Sequence, residues 1–348
     1  MATLMRRRVV KIKTALAILV SAVFLWLAVR QFDVEEFVSV IGQLHPSYIL
    51  PALAAYLLSF VFRTVRWRVM LRTQKTILLP RLFTYIVIGF TANNLLPARL
   101  GEIVRAYVTG KREKMSRSSA FASVILERLF DGVTIMMLLV ALMFVAGPAL
   151  DRPWVRYLAW VSAALFVGGL GLLVLLAYQH DRALALATLL LRLAPERLAA
   201  KAMHILTRFV AGLSLLKHPG DVLLSILLSF GVWGSEVLVY LIYLKAFDIA
   251  APPVAAFLAL VVVNLSSLIP SSPGYIGVFQ FACKESLSLF GVGATTALAW
   301  SVAIHATQVL PITLLGLVFL SRLGFSMREI RHVELDENGP ENGAGSAP

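Results

Sequence analysis

The chain has 348 residues, of which 59% are hydrophobic and 15% charged, whereas a soluble domain carries roughly 25% charged residues. Its formal net charge is +13, but the basic residues fall in the gaps between apolar runs, where the positive-inside rule accounts for them. No aromatic–basic stripe accompanies that charge, so no nucleic-acid partner is expected.

Residues 14–29 form the first apolar run, preceded by a basic N-terminus (residues 1–13) with Arg6, Arg7, Arg8, Lys11 and Lys13. That order resembles a signal peptide, but no small-residue cleavage site precedes Arg30 and the acidic Asp33, Glu35 and Glu36. A retained first span with a cytoplasmic N-terminus is expected. Residues 47–69 return and end among Arg63, Arg66, Arg68, Arg72 and Lys75. Arg63, Arg66 and Trp67 there read as interfacial anchors.

Residues 82–110 lie between Arg81 and the Lys111–Arg112 pair, so they begin and end on one side. The run Asn93-Asn94-Leu95-Leu96-Pro97 breaks them in the middle, and the halves are short for two full spans. A re-entrant hairpin from the cytoplasm is the economical reading, with two tilted short helices as the alternative. Spans over 120–145 and 154–178 follow, joined outside by Gly147-Pro148-Ala149. Residues 181–218 alternate apolar residues with Arg182, Arg192, Arg197, Lys201, Arg208 and Lys217, the pattern of amphipathic helix on the cytoplasmic face.

A span over 222–244 leads to the block 253–290, interrupted by Ser271-Ser272-Pro273-Gly274. Topology balances if that block is a second hairpin, opening the opposite way, before a last span over 295–320. The membrane domain is thus 14–323, followed by a polar, Gly-rich cytoplasmic tail, 324–348, expected to be partly disordered. The fold predicted is all-α and polytopic, with about six spanning helices and two opposed re-entrant hairpins, in a cell membrane with both termini cytoplasmic. One interrupted block per half is the pattern of an inverted-repeat transporter. A short echo joins the halves: Asn94-x-x-Pro97-x-x-x-Gly101 against Ser267-x-x-Pro270-x-x-x-Gly274.

Three constellations carry chemistry. In the first, a half-helix started by Pro97 would aim free N–H groups into the membrane. Arg99, Glu102 and Arg105 would share one of its faces, with Gly101 allowing close approach; arginine suits phosphate because its planar fork bonds two oxygens. The competing reading is a loop whose arginines only set topology. The second is Glu127, Arg128 and Asp131, ionisable groups deep in a span, either a lipid-path element or a buried lock between helices. The third runs from Asn264 through Ser267, Pro270, Pro273, Gly274 and Gly277 to Gln280, with Ser272 as cap and Pro273 in the first turn of a second half-helix, or else a plain turn. His305 and Glu236 are intramembrane titratable groups better read as bonded within the bundle. The single cysteine, Cys283, excludes an intrachain disulfide and a cysteine metal cluster. No Walker motif, His-rich metal motif or nucleophile elbow occurs, so no ATPase chemistry, metal or cofactor is expected.

Together the motifs Asn94-x-x-Pro97-x-Arg99-x-Gly101-Glu102-x-x-Arg105, Glu127-Arg128-x-x-Asp131 and Pro270-x-x-Pro273-Gly274-x-x-Gly277 resemble the transmembrane domain of bacterial lysylphosphatidylglycerol synthases, whose stand-alone members are called flippase-like. The resemblance implies a lipid translocase fold from about residue 14 to 323. Only a short tail follows, so lipid aminoacylation is not expected of this chain. The family often has glutamate where this chain has Gln280, which puts specificity for aminoacyl lipids in doubt. The function expected is translocation of an anionic phospholipid or a polyprenyl-phosphate-linked lipid. The alternatives are a membrane-embedded lipid-modifying enzyme with Glu127 or Asp131 as general base, and a scaffold for a lipid-synthesising partner docked on residues 181–217.

Overall fold

A backbone in hydrocarbon has no water to bond, and a helix satisfies its amides within the segment. In the computed structural model, which describes residues 18–30, 33–96, 100–150, 152–191, 195–269 and 271–325, no strand occurs among the described residues. Among the described residues thirteen α-helices follow one another. They are α1 (Ile18–Val29), α2 (Val34–Gly42), α3 (Ile49–Leu71), α4 (Leu79–Leu95), α5 (Gly101–Glu113), α6 (Arg117–Ala146) and α7 (Pro153–Tyr178). Then come α8 (His180–Leu191), α9 (Glu196–Gly212), α10 (Pro219–Ala246), α11 (Pro253–Ser266), α12 (Val278–Ser288) and α13 (Ala294–Arg322).

Proline opens α4, α7, α10 and α11, where a helix has no use for the missing N–H. Asp33 caps α2 by accepting from the Glu36 N–H at 3.0 Å. Five helices are long and apolar enough to cross a bilayer: Pro46–Leu71, Arg117–Ala146, Pro153–Tyr178, Pro219–Ala246 and Ala294–Arg322. The sixth expected span begins at residue 14, and only its part from Ile18 onward is described. The basic N-terminus and the tail beyond Phe325 lie outside the described residues. The amphipathic stretch resolves into α8, α9 and a short turn, Ser214–Lys217.

Both broken blocks form packed helix pairs, α4 with α5 and α11 with α12. At 17, 13, 14 and 11 residues these helices are about 17–25 Å long, each short of the roughly 30 Å hydrocarbon core. The two halves also pack alike. Exchanging α3 with α10, α4 with α11, α5 with α12 and α6 with α13 maps the packing of one half onto the other. The exchange relates even the cross-contacts, α4 on α13 and α11 on α6. The central seam is α3 against α10, where each helix meets its own counterpart. Small residues close it: Ser59, Ser225 and Ser229 are fully buried, and a Cβ on Gly231 would stand 2.8 Å from the Phe62 ring.

Polar bonds hold α4 to α13, where Thr91 Oγ1 donates to the Ile312 carbonyl at 3.0 Å and Asn94 Nδ2 to Thr313 Oγ1 at 3.0 Å. The first helix clamps the second pair. Ser21 Oγ accepts from the Ser272 N–H at 2.7 Å, and the buried Lys284 ammonium donates to the Leu27 carbonyl at 2.7 Å. Gly277, at φ +90°, lets that helix close in, since a Cβ there would lie 2.7 Å from the Leu25 nitrogen.

The distribution of basic residues expects the loop after α5 on the cytoplasmic face and the loop before α13 outside. In a Cys283→Ala background, Arg112→Cys should react with an impermeant thiol reagent only from the cytoplasm, and Val292→Cys only from outside. Labelling of both from one side would remove the opposed arrangement of the two pairs.

Candidate functional site

Two arginines that read as interfacial anchors are instead at the centre of the protein. Arg63 is 2% exposed and Arg66 fully buried, both on the face of α3 that meets α10. Trp67 is buried beside them, its indole donating to Ser123 Oγ at 3.0 Å. The positions of Ser59, Arg63 and Arg66 repeat at four and three residues, so they form one polar stripe.

Each carboxylate of the cluster has a close guanidinium partner. Arg63 Nη2 donates to Glu236 Oε1 at 2.5 Å, and Arg66 Nη1 to Asp131 Oδ1 at 2.6 Å and Ser229 Oγ at 2.6 Å. Arg105 Nη2 donates to Glu127 Oε2 at 2.7 Å, and its guanidinium stacks 3.5 Å from the centroid of Trp67. Longer pairs cross-link the set: Arg66 to Glu127 at 3.3 Å and Arg63 to Asp131 at 3.5 Å. Burying charge in hydrocarbon is tolerable only when it is paired in this way. The network joins α3, α5, α6 and α10.

Arg128 is the fourth guanidinium and is held differently. It reaches Glu127 at 3.2 Å and Asp131 at 3.8 Å, carboxylates already bonded more closely by other arginines. Its side chain is 31% exposed, whereas those of the other three are at most 3% exposed, and it lies 5.8 Å from the Phe90 ring.

Arg128 faces a cavity of about 850 Å³, counting the open space at its mouth. Both broken pairs line it: Asn93, Asn94 and Glu102 from the first, Asn264, Ser267 and Phe279 from the second and its break. Arg63 and Tyr56 of α3 line it together with Trp233, Glu236 and Tyr240 of α10, and α13 adds His305 and Gln308. Asn94 and Ser267, which head the two halves of the sequence echo, both reach this one space.

Several expected site residues sit elsewhere. Arg105 is not beside Glu102 on a head-group face; it is 2% exposed and committed to Glu127. Glu127 and Asp131 lie behind the cavity wall and do not line it, which favours the buried lock for that pair and leaves Arg128 as the exposed member. Gly101 does permit close approach, but to the other arm of its own pair: a Cβ would collide with the Gly89 carbonyl. The helix starts at Gly101, and the missed residue Asn93 caps it, accepting from the Gly101 N–H at 2.8 Å while donating to Glu102 Oε1 at 3.3 Å. Pro97, Arg99 and Pro270 lie outside the described residues.

In the second break, Ser272 does not cap a half-helix; Pro273–Tyr275 is a single 3-10 turn with Gly274 at φ +69°. The helix begins at Val278, and Gln280 supplies its cap, Oε1 accepting from the Gly277 N–H at 2.8 Å. The amide of Gln280 also bonds His305 Nδ1 at 2.9 Å, and Phe279 stacks on that imidazole at 4.4 Å. His305 is therefore bonded within the bundle, as is Glu236. No group of three or more His, Cys, Asp or Glu side chains could hold a metal among the described residues.

The family described as the lysylphosphatidylglycerol synthase TM region matches residues 14–316, which take in the arginine cluster, both pairs and the cavity. The chain belongs to that family. Among curated proteins, it is similar to the glycosyltransferase AglD of Haloferax volcanii, 29% identical over 87% of this chain and 53% of that protein. The chain thus spans about half the length of that relative. A UPF0104 membrane protein of Methanothermobacter thermautotrophicus is 26% identical over 92% of this chain and 98% of its own length. No solved structure matches the chain.

For this family member, Glu127→Gln should separate lock from lining. Removing the charge strands the Arg105 guanidinium inside the protein, and breaking a buried pair costs about 3–5 kcal/mol. Thermal unfolding in detergent should show that loss for Glu127→Gln and less than about 1 kcal/mol for Arg128→Gln, whose carboxylate partners keep other arginines. Equal losses would erase the distinction between the two side chains.

Proposed function

We propose that the protein carries a phosphate-bearing lipid between the leaflets of a cell membrane, with the head group passing through the cavity and the lipid chains staying in the bilayer. The observation that supports this reading most is the partly exposed Arg128 in a cavity that two broken helix pairs share. Irregular backbone at membrane depth is tolerated where it lines such a cavity, and pairs contributed by two repeats are the architecture of secondary transporters. In this reading each pair re-enters from its own side, the first from the cytoplasm and the second from outside, and the repeats are inverted. Alternating access is then a rocking of one repeat against the other about the α3–α10 seam, which the buried ion pairs hold fixed.

The guanidinium of Arg128 binds the phosphate through its fork; Arg99, which lies outside the described residues, is a second candidate on the sequence motif alone. Family membership supports a lipid-related role, and the named glycosyltransferase among the relatives supports a lipid carrying a sugar. The enzyme reading named Glu127 or Asp131 as general base, and both are tied to arginines behind the cavity wall.

Reconstitution in vesicles with fluorescent lipids tests this directly, because translocation changes a lipid's leaflet and catalysis changes its mass. Arg128→Lys keeps the charge and loses the fork, so lipid movement should fall roughly tenfold or more, from the 1.5–3 kcal/mol typical of hydrogen bonds to charged groups. Arg99→Lys should behave alike, and glutamine at either position should do worse. Parent-like rates in both lysine variants would show that these arginines only orient the chain.

A further inference from the structure

The cavity's charge and hydrogen-bonding inventory narrows the head group. Among the described lining residues, the guanidiniums of Arg63 and Arg128 face the carboxylates of Glu102 and Glu236. Arg63 is committed to Glu236 at 2.5 Å, whereas the carboxylates beside Arg128 are bonded more closely by Arg66 and Arg105. Among the described lining residues that leaves one guanidinium to meet an anion at this depth, enough for a single phosphate and not for several.

A head group ending in an ammonium would find little. Glu236 is committed to Arg63 at 2.5 Å and one oxygen of Glu102 is engaged by Asn93, which leaves Glu102 Oε2 as a buried acceptor without a partner among the described residues. Two aromatic faces that an ammonium would seek already carry guanidiniums: Phe90 takes Arg63 at 5.1 Å, and Trp233 takes it at 5.2 Å.

The larger capacity that remains is neutral. Asn94 and Asn264 each spend one N–H inside the protein, on Thr313 Oγ1 at 3.0 Å and on the Leu260 carbonyl at 2.8 Å. Those bonds fix both amides, and each keeps a second N–H and a carbonyl oxygen with no further partner among the described residues. They come from the two opposed pairs and line the same space. An amide presenting donor and acceptor side by side matches adjacent hydroxyls, each of which also donates and accepts. A site built to bond hydroxyls discriminates strongly against a ligand that lacks them, because its own buried groups are left unpaired.

We infer that the cavity selects a polyhydroxylated head group, a sugar or another polyol on a single phosphate, with Asn94 and Asn264 reading hydroxyls and Arg128 the phosphate. This rests on the translocase reading, and the test keeps the two apart. Vesicles holding the protein would be offered a fluorescent prenyl phosphohexose and phosphatidylinositol, beside phosphatidylethanolamine and cardiolipin. The first two should cross at least tenfold faster than the others, and Asn264→Leu should lose that preference while its melting temperature stays near the parent's.

Ethanolamine lipid or cardiolipin moving as fast, or a preference that survives Asn264→Leu, would overturn the inference. A second readout needs no transport: a hexose 1-phosphate should raise the melting temperature in detergent, and phosphoethanolamine should not. If no lipid moves and that shift is present, the translocase reading fails and the head-group class stands; a shift with phosphoethanolamine alone sinks the head-group class whatever the vesicles show.

Discussion

Everything in this protein is organised around guanidinium groups buried where α3 meets α10. Arg63 and Arg66 could not sit there unpaired, so the fold must bring Glu236 from α10 and Asp131 and Glu127 from α6 to meet them. Arg105 of the first broken pair joins the same set through Glu127. Four helices are thereby fixed in register by bonds that a sideways slip would break. Replacing such a set with apolar residues could give an equally stable bundle. What the charges supply is a unique arrangement, and with it a rigid wall against which the short helices are placed.

The cavity follows from that rigidity. Helices of about 17–25 Å cannot fill a roughly 30 Å bilayer, so their broken ends leave polar backbone and side chains at depth. Asn93 and Gln280 solve the same problem in the two pairs, each accepting the N–H at the start of the following helix. With those ends satisfied, the neighbouring Asn94, Ser267 and Asn264 line the open space.

Much of this architecture is legible in the sequence because hydropathy runs and breakers act locally. Run lengths located the long helices to within a few residues, and the Asn93–Pro97 and Ser271–Gly274 interruptions located both breaks. The depth of Glu127, Arg128 and Asp131 was also readable, since charge inside a long apolar run is rarely idle. What escaped depends on partners distant in the chain. Arg63 and Arg66 look like topology signals near a helix end, and only the matching serines and glutamate on α10, at Ser225, Ser229 and Glu236, reveal a facing polar stripe. Arg105 shares its helix with Glu102 but is claimed by Glu127 on the next helix. Asn93 was visible as part of a break, but its capping role depends on how α5 folds back.

The near-equivalence of the two halves makes their one clear inequality informative. Exchange of the repeats relates the α4–α13 contact to the α11–α6 contact. The first is tied by the Thr91 and Asn94 hydrogen bonds and closes tightly enough that a Cβ on Gly316 would collide with Thr91. Among the described residues no hydrogen bond joins α11 to α6. A molecule of two matched halves has, to a first approximation, two matched ways to open, one at each seam. Here one seam is latched and the other only packed. Parting the first seam costs hydrogen bonds as well as packing, and parting the second costs packing without any hydrogen bond among the described residues.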